Sequence, residues 1–305
     1  VGENTYATLA EAIEAAQDGD TVTLLEDVVL DPPTEEGDLL PKITITADIT
    51  LDLNGQTIQW DLNKTSDSLP ATVALLAVSG ANVTIVGDGT IDAEANMNNS
   101  YGINVINGGN LTIENGSFYG ATTAVQVQTG NITILDGTFD LAETIKSVAP
   151  TYAHYIVNAI DANWKNGTAT ISIYGGTFGY DYADYPEGAG TTYLAEGYIS
   201  KENEDGTFTV DSATAEVSSG DTTAYFATLA EAVEAVINSE TKTGTVTLLE
   251  DCSGGGIGLF NGKGATDVDL TIDFGGYTYT CEDPAVGSTG TESQGFHLER
   301  VTRSS

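Results

Sequence analysis

Chemistry in a protein starts with the groups that can move a proton, hold a metal or attack a bond, and this sequence has few. His154, in "TYAHYIVNAI", and His297 are its two histidines, and no motif sets a nucleophile or an orienting carboxylate beside either. The basic side chains are Lys42, Lys64, Lys146, Lys165, Lys201, Lys242, Lys263, Arg300 and Arg303, most of them in loop-like stretches. There is no zinc spacing, phosphate loop or Ser-His-Asp order. Acidic turns such as Asn203-Glu204-Asp205-Gly206 lack the alternating carboxylates of a Ca²⁺ loop, so a hairpin turn at Asp205-Gly206 is the simpler expectation and no cofactor is assigned. The sequence therefore carries no recognisable catalytic set.

What remains is binding chemistry. Between residues 174 and 198 lie Tyr174, Phe178, Tyr180, Tyr182, Tyr185, Tyr193 and Tyr198, interleaved with Asp181, Asp184, Glu187 and Glu196. Tyrosine rings beside carboxylates can stack on sugar faces while the acids accept hydroxyl hydrogen bonds, and Tyr is also favoured at protein interfaces. Tyr180, Tyr182 and Tyr185 with Asp181 and Asp184 are the expected ligand contacts; packing of these aromatics over the end of the fold is the competing expectation. Nine Lys and Arg against 45 Asp and Glu give a formal charge of −36, which repels nucleic acid and anionic membranes. A ligand should be neutral or cationic, and an anionic glycan would need bridging Ca²⁺.

The elements that must position these residues repeat. "YATLAEAIEAA" from Tyr6 returns as "FATLAEAVEAV" from Phe226, "TVTLLED" from Thr21 returns from Thr245, and "ITLDLNGQTI" from Ile49 returns as "LTIDFGGYTY" from Leu270. Three landmarks in the same order, displaced by 220 to 224 residues, define one complete module at about 1–218 and the start of a second at 219–305. Opening on Val and breaking off in a strand-like "GFHLERVTRSS", the sequence reads as a piece of a longer parent with further copies of the module.

Within the first module a shorter rhythm appears: "NVTIVGDGTI", "NLTIENGSF", "NITILDGTF" and "TISIYGGTF", each preceded by another short apolar strand. Ile91, Phe118, Phe139 and Phe178 mark it at intervals of 27, 21 and 39 residues, as expected of stacked coils with variable loops over about 21–178. Alternation puts Val83, Ile85, Leu111, Ile113, Ile132 and Ile134 inward, with Ile173 joining the column of Ile85, and Thr50, Thr84, Thr112, Thr133, Ser172 and Thr271 outward. Thr8-Leu9-Ala10-Glu11 is a capping box; the stripe Leu9, Ile13, Ala16 predicts an amphipathic helix over about 8–17, ended by Gly19, and Thr228 begins its repeat with Leu229, Val233 and Val236. Each helix should cap a module, and residues 179–210 should hold the aromatic insertion and a closing hairpin.

These phrases resemble the pectin-lyase-like superfamily of right-handed parallel β-helices, whose N-termini often carry a phrase similar to "AI-AA-GDTV". They also look like the tandem β-helix surface proteins of anaerobic gut bacteria, whose modules often close with a phrase similar to "YLAEGYISKENEDGTFTV" (Tyr193 to Val210). The resemblance implies an all-β solenoid and a secreted or cell-surface setting. It implies no activity by itself, because one fold hosts lyases, hydrolases, adhesins and spikes. A lyase of that superfamily would be expected to pair Ca²⁺-binding carboxylates with a basic proton abstractor, yet no Arg falls in the first module; the "NTD", "DD", "GHG" and "RIK" phrases of its hydrolases are absent. The expected function is a non-enzymatic adhesin or stalk binding a glycan or a protein of host or neighbouring cells, with a polysaccharide lyase or tail-spike depolymerase as the alternative.

Two further expectations concern covalent chemistry. Cys252 and Cys281 are 29 residues apart, near one coil, where stacked strands would allow a disulfide or leave two buried thiols. Seven N-x-S/T sequons occur, at Asn63, Asn82, Asn98, Asn110, Asn115, Asn131 and Asn166. Most coincide with turn positions that favour Asn in any case, so they mark glycosylation only in a host that modifies secreted Asn.

Overall fold

Segments such as Asn110-Leu111-Thr112-Ile113 alternate apolar and polar residues between Gly and Asn turns, which favours short extended strands over helix. The computed structural model describes residues 4–32, 40–64, 73–94, 100–141, 155–180, 192–260, 267–283 and 295–299. These divide into two compact units, Val1–Ala195 with Ser200–Val210 and Glu196–Ile199 with Asp211–Ser305. The fold is mostly β, built on parallel sheets of five and six strands, as the alternation predicts.

In the first unit, strands Thr21–Thr23, Ile49–Asp52, Asn82–Val86, Gly109–Ile113, Gly130–Ile134 and Ala169–Ile173 form one six-stranded parallel sheet. Val28–Leu30, Thr57–Trp60, Thr90–Asp92, Ser117–Gly120, Thr138–Leu141 and Gly176–Phe178 form the parallel part of a second, to which Phe208–Ser212 adds antiparallel and Tyr198–Glu202 follows. Leu40–Ile45, Val73–Ser79, Ser100–Ile106, Thr123–Val127 and Tyr155–Ala159 form a third. The chain visits the three sheets in turn, so each parallel neighbour is reached by one round of chain.

That path fixes the register. Val22, Leu51, Ile85, Ile113, Ile134 and Ile173 lie opposite one another in a single buried column, as expected of the four isoleucines. On the second sheet Ile58, Ile91, Phe118, Phe139 and Phe178 do the same. The three Phe rings stack at 4.9 and 5.0 Å with interplanar angles of 9° and 11°, each pair adding about 1 kcal/mol beyond its buried area. The backbone makes room for them: Gly116 and Gly137 have φ of 120° and 125°, and a Cβ on Gly137 would meet the Gly116 carbonyl at 2.9 Å and the Phe139 ring at 3.1 Å. The third sheet is different. Val73–Ser79 and Thr123–Val127 are buried on both faces almost throughout; Val73–Ser79 reads accordingly as a nearly unbroken apolar run, whereas Thr123–Val127 also buries the polar Thr123 and Gln126.

The opening helix is shorter than expected, Leu9–Ala15, with Thr8 Oγ1 accepting from the Glu11 N–H at 3.2 Å. Its buried residues are Leu9, Ala12 and Ile13; Ala16 is already extended, and Gly19 sits beyond, in a turn where Asp20 Oδ2 accepts from Gln17 N–H and the Gly19 N–H donates to the Asp48 carbonyl. The stop is set by that Asp turn and not by the glycine. A further helix, Asp161–Lys165, interrupts the strand rhythm unannounced. The hairpin at Asp205-Gly206 forms as expected, with Gly206 at φ 84° and the Asn203 N–H donating to the Thr207 carbonyl at 2.8 Å.

The second unit repeats the devices. Thr228 Oγ1 accepts from the Glu231 N–H at 3.1 Å to open the helix Leu229–Asn238, which buries Leu229, Ala232, Val233, Val236 and Ile237. Asp251 Oδ1 accepts from Thr278 N–H at 2.7 Å where Asp27 Oδ1 accepts from Thr57 N–H at 2.8 Å. Thr243–Leu248 pairs in parallel with Asp269–Asp273, setting Thr271 opposite Thr245. The strand Ala215–Ser219, which spans the module boundary expected at 218, pairs antiparallel with both Thr222–Phe226 and Thr243–Leu248 inside this unit.

Replacing Ile113, fully buried in its column, by Asp should cost several kcal/mol and abolish the cooperative melt of the first unit. Thr112→Ser, one position away on the opposite face, should leave the melting temperature within a few degrees, a contrast that circular dichroism reads directly.

Candidate binding faces

The outward residues of the first sheet form two ladders. Thr50, Thr84, Thr112, Thr133 and Ser172 stand in register, as expected from alternation, and Thr21 joins them; Thr271, expected in the same column, stands opposite Thr245 in a different sheet. Beside it, Asn82 Nδ2 donates to Asp48 Oδ2 at 2.7 Å and Asn110 Nδ2 to Asn82 Oδ1 at 2.8 Å; Asn131 Nδ2 donates to Asn110 Oδ1, and Thr170 Oγ1 to Asn131 Oδ1. Each amide satisfies the next. Asp48 ends the row, also accepting the Asn82 N–H at 2.7 Å, and these bonds hold its carboxyl below the usual range.

The same geometry bears on the sequons. The amide nitrogens of Asn82, Asn110 and Asn131 that a glycan would take are donors in the ladder, Asn115 Nδ2 donates to Asp88 at 2.6 Å, and Asn63 Nδ2 to Asp61 at 3.2 Å. Asn166 uses its Oδ1, accepting from the Thr168 N–H at 3.0 Å and the Thr168 hydroxyl at 2.6 Å. Asn98 lies outside the described residues.

Of the expected aromatic contacts, Tyr182, Tyr185, Asp181 and Asp184 lie outside the described residues, as does His154. Tyr180 is half-buried, and its hydroxyl accepts the Ile156 N–H at 2.9 Å. Tyr193 is 1% exposed; its hydroxyl accepts the Ala159 N–H at 3.1 Å and its ring meets Trp164 edge-on at 4.8 Å. Both phenols thus satisfy backbone donors of Tyr155–Ala159, the last strand of the third sheet, so the ends of the insertion pack against the fold.

An outward column that sequence reading missed runs along the second sheet: Gln59, Asp92, Tyr119 and Asp140 are successive register partners, each next to an inward residue of the Ile58–Phe178 column. One aromatic residue stands in register between two acidic ones, on strands spaced about 4.8 Å apart. Asp92 is half-buried, and burial, with the nearby Glu94 charge, raises its carboxyl above the usual range against the Glu94 N–H it accepts at 2.8 Å. Asp140 Oδ1 accepts the Leu141 N–H at 2.8 Å.

Cys252 and Cys281 are both free and partly buried. Of the two alternatives, a bridge or two thiols, the register gives the thiols: Cys252 stands opposite Tyr279 and Cys281 opposite Gly254, two positions out of step. Burial, with Glu250 and Asp251 nearby, pushes the Cys252 thiol up, so it is a poor nucleophile. Among the described residues, no group of three or more His, Cys, Asp or Glu is placed to hold a metal ion. No family model matches the chain, and neither a curated protein nor a solved structure matches it.

Because the folded state raises the Asp92 carboxyl, it binds more protons than the unfolded chain between the two pKa values, and this group's contribution falls as pH rises through the folded value. Asp92→Asn keeps an oxygen for the Glu94 N–H and removes the buried charge. It should melt higher than wild type at pH 7 and lose that advantage near pH 3; equal melting at both pH values would refute the assignment.

Proposed function

We propose that this chain is a non-enzymatic, modular protein of the secreted or cell-surface kind. In this reading tandem right-handed parallel β-helix modules, each opened by a capping helix, form a stiff acidic stalk that presents a binding face. The observation that carries it is the closed, in-register ladder of Asp48, Asn82, Asn110, Asn131 and Thr170, in which polar groups bond to their own repeats. Such a face favours length and rigidity over chemistry. The charge of −36 serves solubility and restricts ligands to neutral or cationic ones, a glycan or a partner protein. Among the described residues no helix is long and apolar enough to cross a membrane.

The second-sheet column is the best-equipped binding face, because Tyr119 offers a flat ring with Asp92 and Asp140 as flanking acceptors. A second reading, a carbohydrate-active β-helix, draws on the same pair: Asp92 and Asp140 stand two strands apart, roughly 10 Å between backbones, so a modest inclination of the two side chains toward each other would bring the carboxyls into the roughly 6.5–9.5 Å range of inverting glycoside hydrolysis.

One screen separates them. Wild type, Tyr119→Ala and Asp92→Asn are tested on neutral glycans and basic proteins, and the glycans are then analysed for cleavage. A stalk with this binding face should retain a ligand intact and lose at least about tenfold in affinity in Tyr119→Ala, as expected for removing a stacking ring of 1–3 kcal/mol. Unchanged binding by that variant places the face elsewhere, and shortened products that vanish in Asp92→Asn would replace the stalk by the enzyme.

A further inference from the structure

The internal repeat lets each unit serve as a control for the other, and they differ at one edge. In the second unit, Thr243–Leu248 is covered by the antiparallel strand Ala215–Ser219, with Ser218 opposite Thr245, Glu216 opposite Thr247 and the Leu249 N–H donating to the Thr214 carbonyl at 3.0 Å. The covering strand turns Ala215 and Val217 into the core that the helix closes. Its counterpart by sequence repeat in the first unit is Thr21–Thr23, which ends its sheet: among the described residues no strand pairs on its outer side.

The backbone there points the right way. The Asp20 carbonyl accepts the Thr50 N–H and the Leu24 N–H donates to the Asp52 carbonyl, both at 2.9 Å. Asp20, Val22 and Leu24 therefore face the inner neighbour, and by alternation Thr21, Thr23 and Leu25 offer their N–H and C=O groups outward, the parity with which Thr245, Thr247 and Leu249 meet Ala215–Ser219. The side chains agree. Leu25 is 70% exposed where Leu249 is half-buried, and Tyr6 is 37% exposed where Phe226 packs on the core cluster. A groove of roughly 770 Å³ runs between the Tyr6–Ala12 segment and residues 22–31.

We propose that the outer edge of Thr21–Thr23 is a docking site for an antiparallel strand of the Ala215–Ser219 kind, small and apolar at alternate positions, contributed by an adjoining copy of the module. The inference rests on the tandem-module reading above. It makes module joining a β-augmentation: the strand that follows one module's closing hairpin completes the next module's first sheet and buries its exposed Leu and Tyr.

The test places a copy of Asp211–Gly220 directly before Val1 in the full chain, which reproduces the eight-residue spacing from Gly220 to the helix cap Thr228 in that from the added Gly to Thr8. Hydrogen exchange of the Thr21 and Thr23 amides should slow by at least about tenfold. The same extension carrying Pro at the Glu216 position should lose the effect, since Pro cannot donate to the ladder. Unchanged exchange at Thr21 and Thr23 with protected Thr112 and Thr133 overturns the docking edge alone, and so does a gain that survives the Pro. Unprotected Thr112 and Thr133 would overturn the stacked-module reading and this inference with it.

Discussion

In-register parallel stacking is the constraint on which the first unit depends, because it sets every residue against its counterpart one strand away, about 4.8 Å off. Ile meets Ile, Phe meets Phe and Asn meets Asn. Each such column is favourable only for residues that interact well with themselves: branched aliphatics that interlock, rings that stack, and amides that both donate and accept. Carboxylates fail that test. Two of them at 4.8 Å repel by about 1 kcal/mol even in water, and by more at a protein surface.

With 45 acids and nine bases the chain cannot neutralise itself pair by pair, and in the described strands register keeps the acids apart. In none of the described strand pairings does an Asp or Glu stand opposite another. Asp52 lies between Thr23 and Val86, Asp92 between Gln59 and Tyr119, Asp273 opposite Thr247 and Glu216 between Thr247 and Tyr225. Where Asp31 and Asp61 do gather, Lys64 reaches both, at 2.6 and 3.4 Å. Within the described strand pairings, the acids are thus kept out of register with one another.

Much of this was legible in the sequence because repeats announce the register: once "NLTI" and "NITI" are aligned, Ile113 must lie on Ile134 and Thr112 on Thr133. Two kinds of feature escaped. The helix end was misread because Gly19 looks like a C-cap, whereas the chain leaves the helix at Ala16 and is held by Asp20 and Asp48. The two-sided burial of Val73–Ser79 could not be read either, since a continuous apolar run carries no period, and in Thr123–Val127 the polar Thr123 and Gln126 look outward although both are buried. The candidate face was hidden for another reason. Asp92, Tyr119 and Asp140 differ in type, so no motif links them, and only register brings them together.

That last point locates where function can arise in such a chain. A column of identical, mutually bonded residues has its polar groups already used, as in the row from Asp48 to Thr170, and offers a ligand little that water does not. Specific contacts need positions where like no longer meets like. The described residues provide two: the Asp92–Tyr119–Asp140 column, where an aromatic interrupts the acids, and the outer edge of Thr21–Thr23, where stacking stops and backbone groups face outward. The first suits a side-chain ligand and the second a strand. Both follow from the same rule, since a stack built on self-complementarity can recognise something else only where that complementarity is broken or ends.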